Sequence, residues 1–289
     1  MKKIKIGITG STGFIGQHLV NYLEKSGYII DTFEEHKFNF FHQYDIEQFI
    51  KDKDVIIHLA AVIIGNNEEM NFNISSTYNL LNAIAKLKTK KKVKFVYFST
   101  TQVYGYSEKR IVYTEESKIK PVNYHSLTKF VCEQMVLNYE NIVPIVLRLT
   151  NVYGIGARPN YNSALATFVY NIFNDLPITL NNFGKQKRNY IYVKDLCFII
   201  DKILRLNFYG LLNICSDETI SIKKLVEALY KLYGKKPLIT YKTISETINN
   251  ATISNIKLRK LIPNLKFTKL KEGLKEYVEE YRRSTDNKT

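Results

Sequence analysis

Along the first half of the chain, short runs of β-branched and aromatic residues alternate with longer stretches whose apolar positions recur every three or four residues. The first kind reads as strand and the second as amphipathic helix, so the alternation predicts a parallel sheet with helices on both faces. "KIKIGITG" is the first strand, and "GFIGQHLVNYLEKSG" is a helix that Gly27 ends. "YIIDTF" and "DVIIHLAA" follow as strands, "NISSTYNLLNAIAKL" as a helix and "KFVYFST" as a strand. A helix from about Ser126 to Tyr139 then leads into the strand "VPIVLRLT".

Beyond Asn151 the pattern loosens. "GIGARPNYNS" is loop-like, "ALATFVYNIF" helical, and "PITLNNFGKQKRNYIYV" extended around a glycine-centred turn. "GLLNICS" reads as a further strand, and "SIKKLVEALYKLYG" and "KLKEGLKEYVEEYRR" as amphipathic helices with charged outer faces.

Composition adds little to this picture but removes some classes. The 289 residues are 45% hydrophobic and 24% charged, as in an ordinary soluble globular protein. No run is long enough to span a bilayer. The lysine-led opening is broken by glycines and lacks a small-residue cleavage site, so a secretory leader is not expected and a cytoplasmic setting is. Cys132, Cys197 and Cys215 lie far apart in apolar runs, which suits buried free thiols and not a metal site. The net charge of +15 raises the question of nucleic acid, but the lysines are scattered. The one dense run (Lys88, Lys90, Lys91, Lys92 and Lys94) sits where a helix hands over to a strand and reads as a solvated turn. Neither nucleic acid nor a membrane is expected as a partner; the balance suits small anionic ligands.

"GITGSTGFIG" places Gly10, Gly13 and Gly16 three residues apart between a strand and a helix. Glycine serves there because the backbone turns tightly and must approach a pyrophosphate closely, while the helix offers N–H groups and the positive end of its dipole. Thr12, Phe14 and Ile15 belong to the same turn and are candidate cofactor contacts, with Ile15 and Leu19 packing the helix. An acidic residue should follow near the end of the second strand to accept from ribose hydroxyls. Glu34 fits, Asp31 fits less well, and Asn39 lies on the same stretch. A carboxylate there favours NAD, although Lys37 close by keeps NADP possible. The expected organisation is α/β: a Rossmann-type doubly wound parallel sheet at 1–152, then a smaller C-terminal substrate-binding lobe at 153–289 that returns some chain to the sheet.

At this point the sequence resembles the extended short-chain dehydrogenase/reductase family of nucleotide-sugar epimerases, dehydratases and ketoreductases. The resemblance rests on "TGSTGFIG", "HLAA", "FSTTQVYG", "YTEES", "LRLTNVYG" and "PITLNNFGKQKRNYIYVKDL", in the family's order and spacing. It implies that Ala60, Ala61 and Ser99 line the cofactor groove and that Thr100 hydrogen-bonds a sugar hydroxyl or keto oxygen. It implies that Lys129 holds the nicotinamide ribose and lowers the pKa of the neighbouring acid/base. Asn151 and Arg188 would meet the substrate, the guanidinium pairing with its diphosphate. The helices at 73–87 and 126–139 would form a homodimer interface, and surface sugar or O-antigen biosynthesis is the implied setting.

The family's 4,6-dehydratases carry an acidic pair where this chain has Thr101 and Gln102, so elimination is not expected. Those two positions remain candidate substrate contacts. Chain length, and the absence of a family Arg and Asp around "NNATISNIKLRKLIP", lean towards a 4-ketoreductase; Glu34 leans back towards an epimerase that keeps NAD bound.

One position departs from the family. Pro121 and Lys129 both place the usual catalytic tyrosine at position 125, where this chain has His125, with Tyr124 one place earlier. Residues four apart on a helix lie about 40° apart in azimuth, whereas Tyr124 would lie about 140° from Lys129. Three readings stay open: His125 as proton donor, Tyr124 acting through a late helix start or a bulge, or a catalytically impaired NAD(P)-binding protein.

Overall fold

The computed structural model describes residues 3–34, 37–87, 92–161, 163–244 and 251–286. Of the lysine run, Lys88, Lys90 and Lys91 lie outside the described residues, as do Asn249 and Asn250 of the late segment.

In chain order the elements are β1 (Lys5–Thr9), α1 (Phe14–Lys25), β2 (Ile29–Phe33), α2 (Gln43–Ile50), β3 (Val55–His58), α3 (Asn67–Lys86), β4 (Val93–Thr100) and, after a 3₁₀ turn at Thr101–Tyr104, β5 (Val112–Tyr113). Next come α4 (Tyr124–Leu137), β6 (Ile142–Leu149), β7 (Asn151–Tyr153), α5 (Ala164–Phe173), β8 (Ile178–Asn181), β9 (Lys187–Tyr192), α6 (Val193–Arg205) and β10 (Gly210–Ile214). The chain continues with β11 (Thr219–Ser221), α7 (Ile222–Tyr233), β12 (Ile239–Lys242), β13 (Thr252–Ile253), α8 (Ile256–Leu261) and α9 (Leu270–Asp286).

The main sheet has the order β10-β6-β4-β3-β1-β2. Pairings from β2 through β6 are parallel: Ile6 faces both Ile30 and Val55, and β4 meets β6 from Val93↔Ile142 to Thr100↔Leu149. Helices cover both faces of such a sheet, so its strands read as near-continuous apolar runs. Ile6, Ile8, Ile56, Ile57, Phe95, Val96, Ile145 and Val146 are fully buried. The carboxyl ends of β1, β3 and β4 lie side by side through Thr9↔His58 and His58↔Tyr97. Open α/β sheets bind ligands at that edge.

Contacts divide the chain into two compact units. The first comprises Met1–Gly105, Lys118–Leu149 and Cys197–Asn213; the second comprises Tyr106–Ser117, Thr150–Leu196 and Ile214–Thr289. The expected division at 152/153 had the second part returning some chain to the main sheet; by contacts the units change over at Leu149/Thr150, and Cys197–Asn213 belongs with the first. The second unit carries the sheet β11-β9-β7 and the pairs β12-β8 and β13-β5.

Two helices differ from the expected bounds. α3 begins at Asn67, well before the apolar period becomes visible, because Asn66 and Glu69 close a capping box on its polar first turn. α4 starts at Tyr124 instead of Ser126, because Asn123 is its N-cap and shares a capping box with Ser126. The described end of the lysine run is structural. Lys94 Nζ donates to the carbonyls of Leu204 (2.9 Å) and Leu206 (3.0 Å), where a cation suits the C-terminal end of α6. The three cysteines are buried and unpaired. Among the described residues no helix is long and apolar enough to cross a membrane.

Candidate functional site

The glycine turn joins β1 to α1, and each glycine has its own reason to be there. Gly10 takes a left-handed φ of 70°, and a Cβ on it would fall 2.6 Å from the Ala60 nitrogen. A Cβ on Gly16 would lie 2.2 Å from the Gly10 carbonyl oxygen, so Gly16 lets α1 press against the turn. Gly13 is the N-cap of α1; a Cβ there would meet nothing nearer than the Gly10 oxygen at 3.3 Å. No side chain caps α1, and no acidic residue occupies its first turn. The positive end of this helix is thus left open beside an exposed backbone at Thr12 and Gly13, a cradle that fits a dinucleotide's phosphates. Gly10→Ala combines a left-handed backbone, costing about 1–2 kcal/mol, with a methyl driven into the Ala60 backbone. NADH affinity measured by titration should fall at least about tenfold.

Around this turn, Thr12 accepts from Gln17 Nε2 through its carbonyl (2.9 Å), and Phe14 packs edge-on against His18. Glu34, just past β2, accepts from Thr32 Oγ1 (3.0 Å) and pairs with Lys37 Nζ (2.8 Å). Its carboxylate is a hydrogen-bond acceptor with a cation already beside it. Asp31 pairs instead with Lys53. Asn39 caps a local turn, its Oδ1 accepting from the Phe41 N–H (2.8 Å).

The catalytic candidates of the first unit come from β4 and α4. Thr100 ends β4, and its Oγ1 accepts from the Gln102 N–H (3.2 Å), starting the 3₁₀ turn that carries Thr101 and Gln102. Gln102 is exposed and accepts from Asn123 Nδ2. Lys129 is buried; its Nζ donates to the Phe98 carbonyl (2.8 Å) and lies 5.0 Å from the Tyr97 ring centroid. Burial lowers its pKa to about 8, against the pull of Cys132 and Glu133.

His125 and Tyr124 part company. Tyr124 donates its hydroxyl to Asn71 Oδ1 on α3 (2.6 Å). α4 runs as a continuous helix from Tyr124, so neither a late start nor a bulge brings that phenol to Lys129; the shifted-backbone alternative is corrected on this ground. The His125 ring is hydrogen-bonded to the Val62 backbone, and its Nδ1 is buried with no hydrogen-bond partner. Burial, helped by the Lys129 charge, lowers its pKa to about 4. His58, wholly buried, is lowered to about 3 by the same two causes. Both values lie below the unfolded value of about 6.5, so on acidification the unfolded chain takes up protons that the folded one refuses. Each histidine should erode stability by about 1.4 kcal/mol per pH unit from about 6.5 downwards. Thermal unfolding should therefore steepen its pH dependence there, and His125→Tyr should flatten it.

The charges beneath this site carry no motif in the sequence. Glu133 (0% exposed) and Arg148 (2%) pair through Arg148 Nε (3.0 Å) and NH2 (2.7 Å), joining α4 to β6. Ser99, on β4 beside Thr100, donates its hydroxyl to the same carboxylate. A glutamate four residues after Lys129 and an arginine inside "VLRL" were the available signals. Asn151 and Arg188 belong to the second unit. Asn151 Nδ2 donates to the Asn189 carbonyl (2.9 Å), and Arg188 NH1 donates to the Lys187 carbonyl (2.9 Å).

A parallel sheet with a glycine turn at its carboxyl edge, and on α4 a buried lysine one turn from an acid/base candidate, are features of dinucleotide-dependent enzymes. The model of the NAD dependent epimerase/dehydratase family matches residues 6–215, and the chain belongs to that family. Its cofactor is accordingly NAD, and the glycine turn supplies the space that a dinucleotide needs. Over 87% of its length the chain is 27% identical to a UDP-2-acetamido-2,6-beta-L-arabino-hexul-4-ose reductase of Pseudomonas aeruginosa, spanning 63% of that relative. It is 30% identical to a GDP-6-deoxy-D-talose 4-dehydrogenase of Aggregatibacter actinomycetemcomitans, over 79% of this chain and 80% of that one. Among solved structures, a dTDP-glucose 4,6-dehydratase from Bacillus anthracis in complex with NAD superposes with a TM-score of 0.86 at 26% identity, covering 98% of both chains.

Proposed function

We propose that the protein reduces the 4-keto group of a nucleotide-linked deoxysugar, with His125 in place of the family tyrosine as proton donor. The observation that carries this reading is the buried, unpartnered Nδ1 of His125, whose ring is held by the Val62 backbone four residues before Lys129. Two relatives whose names specify oxidation or reduction at the sugar 4-position support the reaction class. The lack of a carboxylate at Thr101 and Gln102 argues against elimination.

In this mechanism the bound reduced nicotinamide supplies a hydride to the sugar carbon. The backbone at Gly10, Thr12, Gly13, Phe14, Ile15 and Gly16 would receive the pyrophosphate, and Glu34 would accept from a ribose hydroxyl, with Asn39 flanking it. Ala60, Ala61 and the Ser99 backbone would border the nicotinamide end, where Lys129 would hold its ribose. Thr100 Oγ1 already accepts from Gln102, which leaves its hydrogen to donate to the keto oxygen. Protonated Nδ1 of His125 would deliver the proton to that oxygen as charge develops. Lys129, as an ammonium, both favours the developing alkoxide and holds the imidazole's pKa down, so reduction should speed up on the acid side of neutrality. Thr101 and Gln102, in the first unit, are assigned to the sugar nucleotide. The exposed Tyr78 on α3 and Leu127 on α4 suit a homodimer face, and the reading places the protein in cytoplasmic surface-sugar synthesis.

The test is nicotinamide absorbance with NADH and a nucleotide 4-keto-6-deoxy sugar. Oxidation of NADH with one reduced sugar formed per turnover is expected. Interconversion of 4-hydroxy epimers without net NADH loss would point to the epimerase instead, and binding without either reaction to an impaired NAD protein.

A further inference from the structure

We infer that His58 is a positioning residue. As the neutral tautomer protonated on Nε2, it closes a one-way chain of hydrogen bonds that fixes the segment from Ala60 to Val62 against the glycine turn. The inference rests on the reading of that turn as the dinucleotide cradle.

The direction of the chain follows from counting hydrogens. Thr77 Oγ1 lies 2.7 Å from the Asn73 carbonyl oxygen, which can only accept, so the single hydroxyl hydrogen of Thr77 is used there. Towards His58 Nε2, at 3.1 Å, the Thr77 oxygen must then accept, which puts the ring hydrogen on Nε2. A neutral ring with Nε2–H has a bare Nδ1, and that nitrogen accepts from Thr9 Oγ1 at 2.7 Å. The hydrogen of Thr9 is now used as well, and its oxygen accepts from the Ala60 N–H at 3.2 Å. Every donor along this path is matched to one acceptor, and a second proton on the ring would have none. Burial of His58 among Phe40, Phe95 and Tyr97 opposes that second proton too.

What the chain holds is the stretch of backbone nearest to Gly10. The Ala60 nitrogen is the atom that a Cβ on Gly10 would strike. Two residues on, Asn73 grips Val62 twice: its Oδ1 accepts from the Val62 N–H (2.7 Å), and its Nδ2 donates to the Val62 carbonyl (2.9 Å). Asn73 is also the residue whose carbonyl ends the His58 chain, so both ends of the segment are tied to one point on α3. The Val62 backbone in turn carries the His125 ring. The tautomer of His58 thereby sets the segment that separates the glycine turn from the proton donor.

The experiment combines a spectroscopic signature with conservative rescue. In ¹⁵N-histidine-labelled protein, His58 should show a protonated Nε2 and a bare Nδ1, unchanged between pH 8 and 5; a proton on Nδ1 would overturn the inference. Thr77→Val and Thr9→Val should each weaken NADH binding by about tenfold, while Thr77→Ser and Thr9→Ser stay within about twofold of the parent. Unchanged NADH affinity in the folded valine variants would also overturn it, as would equal losses in the serine and valine variants, which would indicate altered packing. The tautomer is read without cofactor, so it survives if a valine variant fails to fold. A parent protein with the expected tautomer and no NADH binding would sink the cradle reading, and the positioning role with it.

Discussion

His125→Tyr is expected to raise the rate of keto-sugar reduction at pH 7.5 by about a hundredfold, at the lower end of what a well-placed general acid contributes. With its pKa lowered to about 4, the parent imidazole holds a proton in only about one molecule in a thousand at neutral pH. A phenol carries its proton throughout that range, and the neighbouring Lys129 would bring its pKa down towards useful values. The parent should therefore gain rate as pH falls towards about 5, while the tyrosine variant should be flat or decline there. His125→Phe should lose the acid limb altogether. A phenylalanine variant as active as the parent across that range would remove His125 from the mechanism.

The largest stability effect is expected at Glu133. Removing its carboxylate by Glu133→Ala leaves the Arg148 guanidinium buried with no countercharge, and Arg148 NH1 already lacks a partner. Breaking one side of such a pair costs about 3–5 kcal/mol. At this chain length that corresponds to a fall in Tm of roughly 10 °C. Replacing both partners together, Glu133→Leu with Arg148→Met, should recover most of the loss, because the cost lies in the stranded charge. Urea unfolding of the two variants checks this. A single variant within about 1 kcal/mol of the parent would mean that water reaches Arg148. The single change also leaves the Ser99 hydroxyl without its acceptor, next to Thr100, so activity should fall further than stability alone explains.

The strands of the main sheet were legible because burial on both faces forces unbroken apolar runs such as "KIGIT" and "VIIH". The glycine turn was legible because strand, three spaced glycines and helix follow one another directly. α6 was not anticipated, although Leu196, Ile199, Ile200 and Ile203 mark a clear helical stripe. β9 ends at Tyr192 and α6 begins at Val193, so no turn residue separates the two periods. α2 is eight residues long, shorter than the window in which a helical period stands out. Glu133, Arg148 and His58 escaped for a different reason. A buried polar residue takes its meaning from partners on other elements, and pairs such as Ser99 on β4 with Glu133 on α4 are set by which helix packs on which strand, which one-dimensional spacing does not contain. His125 and Lys129 do share α4, with Pro121 in the loop before it, so their relative placement is local and readable from spacing.

The interleaved division of the chain has a consequence for how the first unit comes into being. β10 covers the free side of β6, yet it lies about sixty residues further along, after the 106–117 and 150–196 segments of the second unit have been made. A fragment cut at Leu149, the natural place for a domain boundary, would present β6 as an unprotected edge with apolar faces. It should therefore self-associate instead of standing alone as a cofactor-binding module. During synthesis the same edge stays open until residue 213 has left the ribosome, so the sheet is finished late, and nascent chains stalled between these points are where chaperone capture should concentrate.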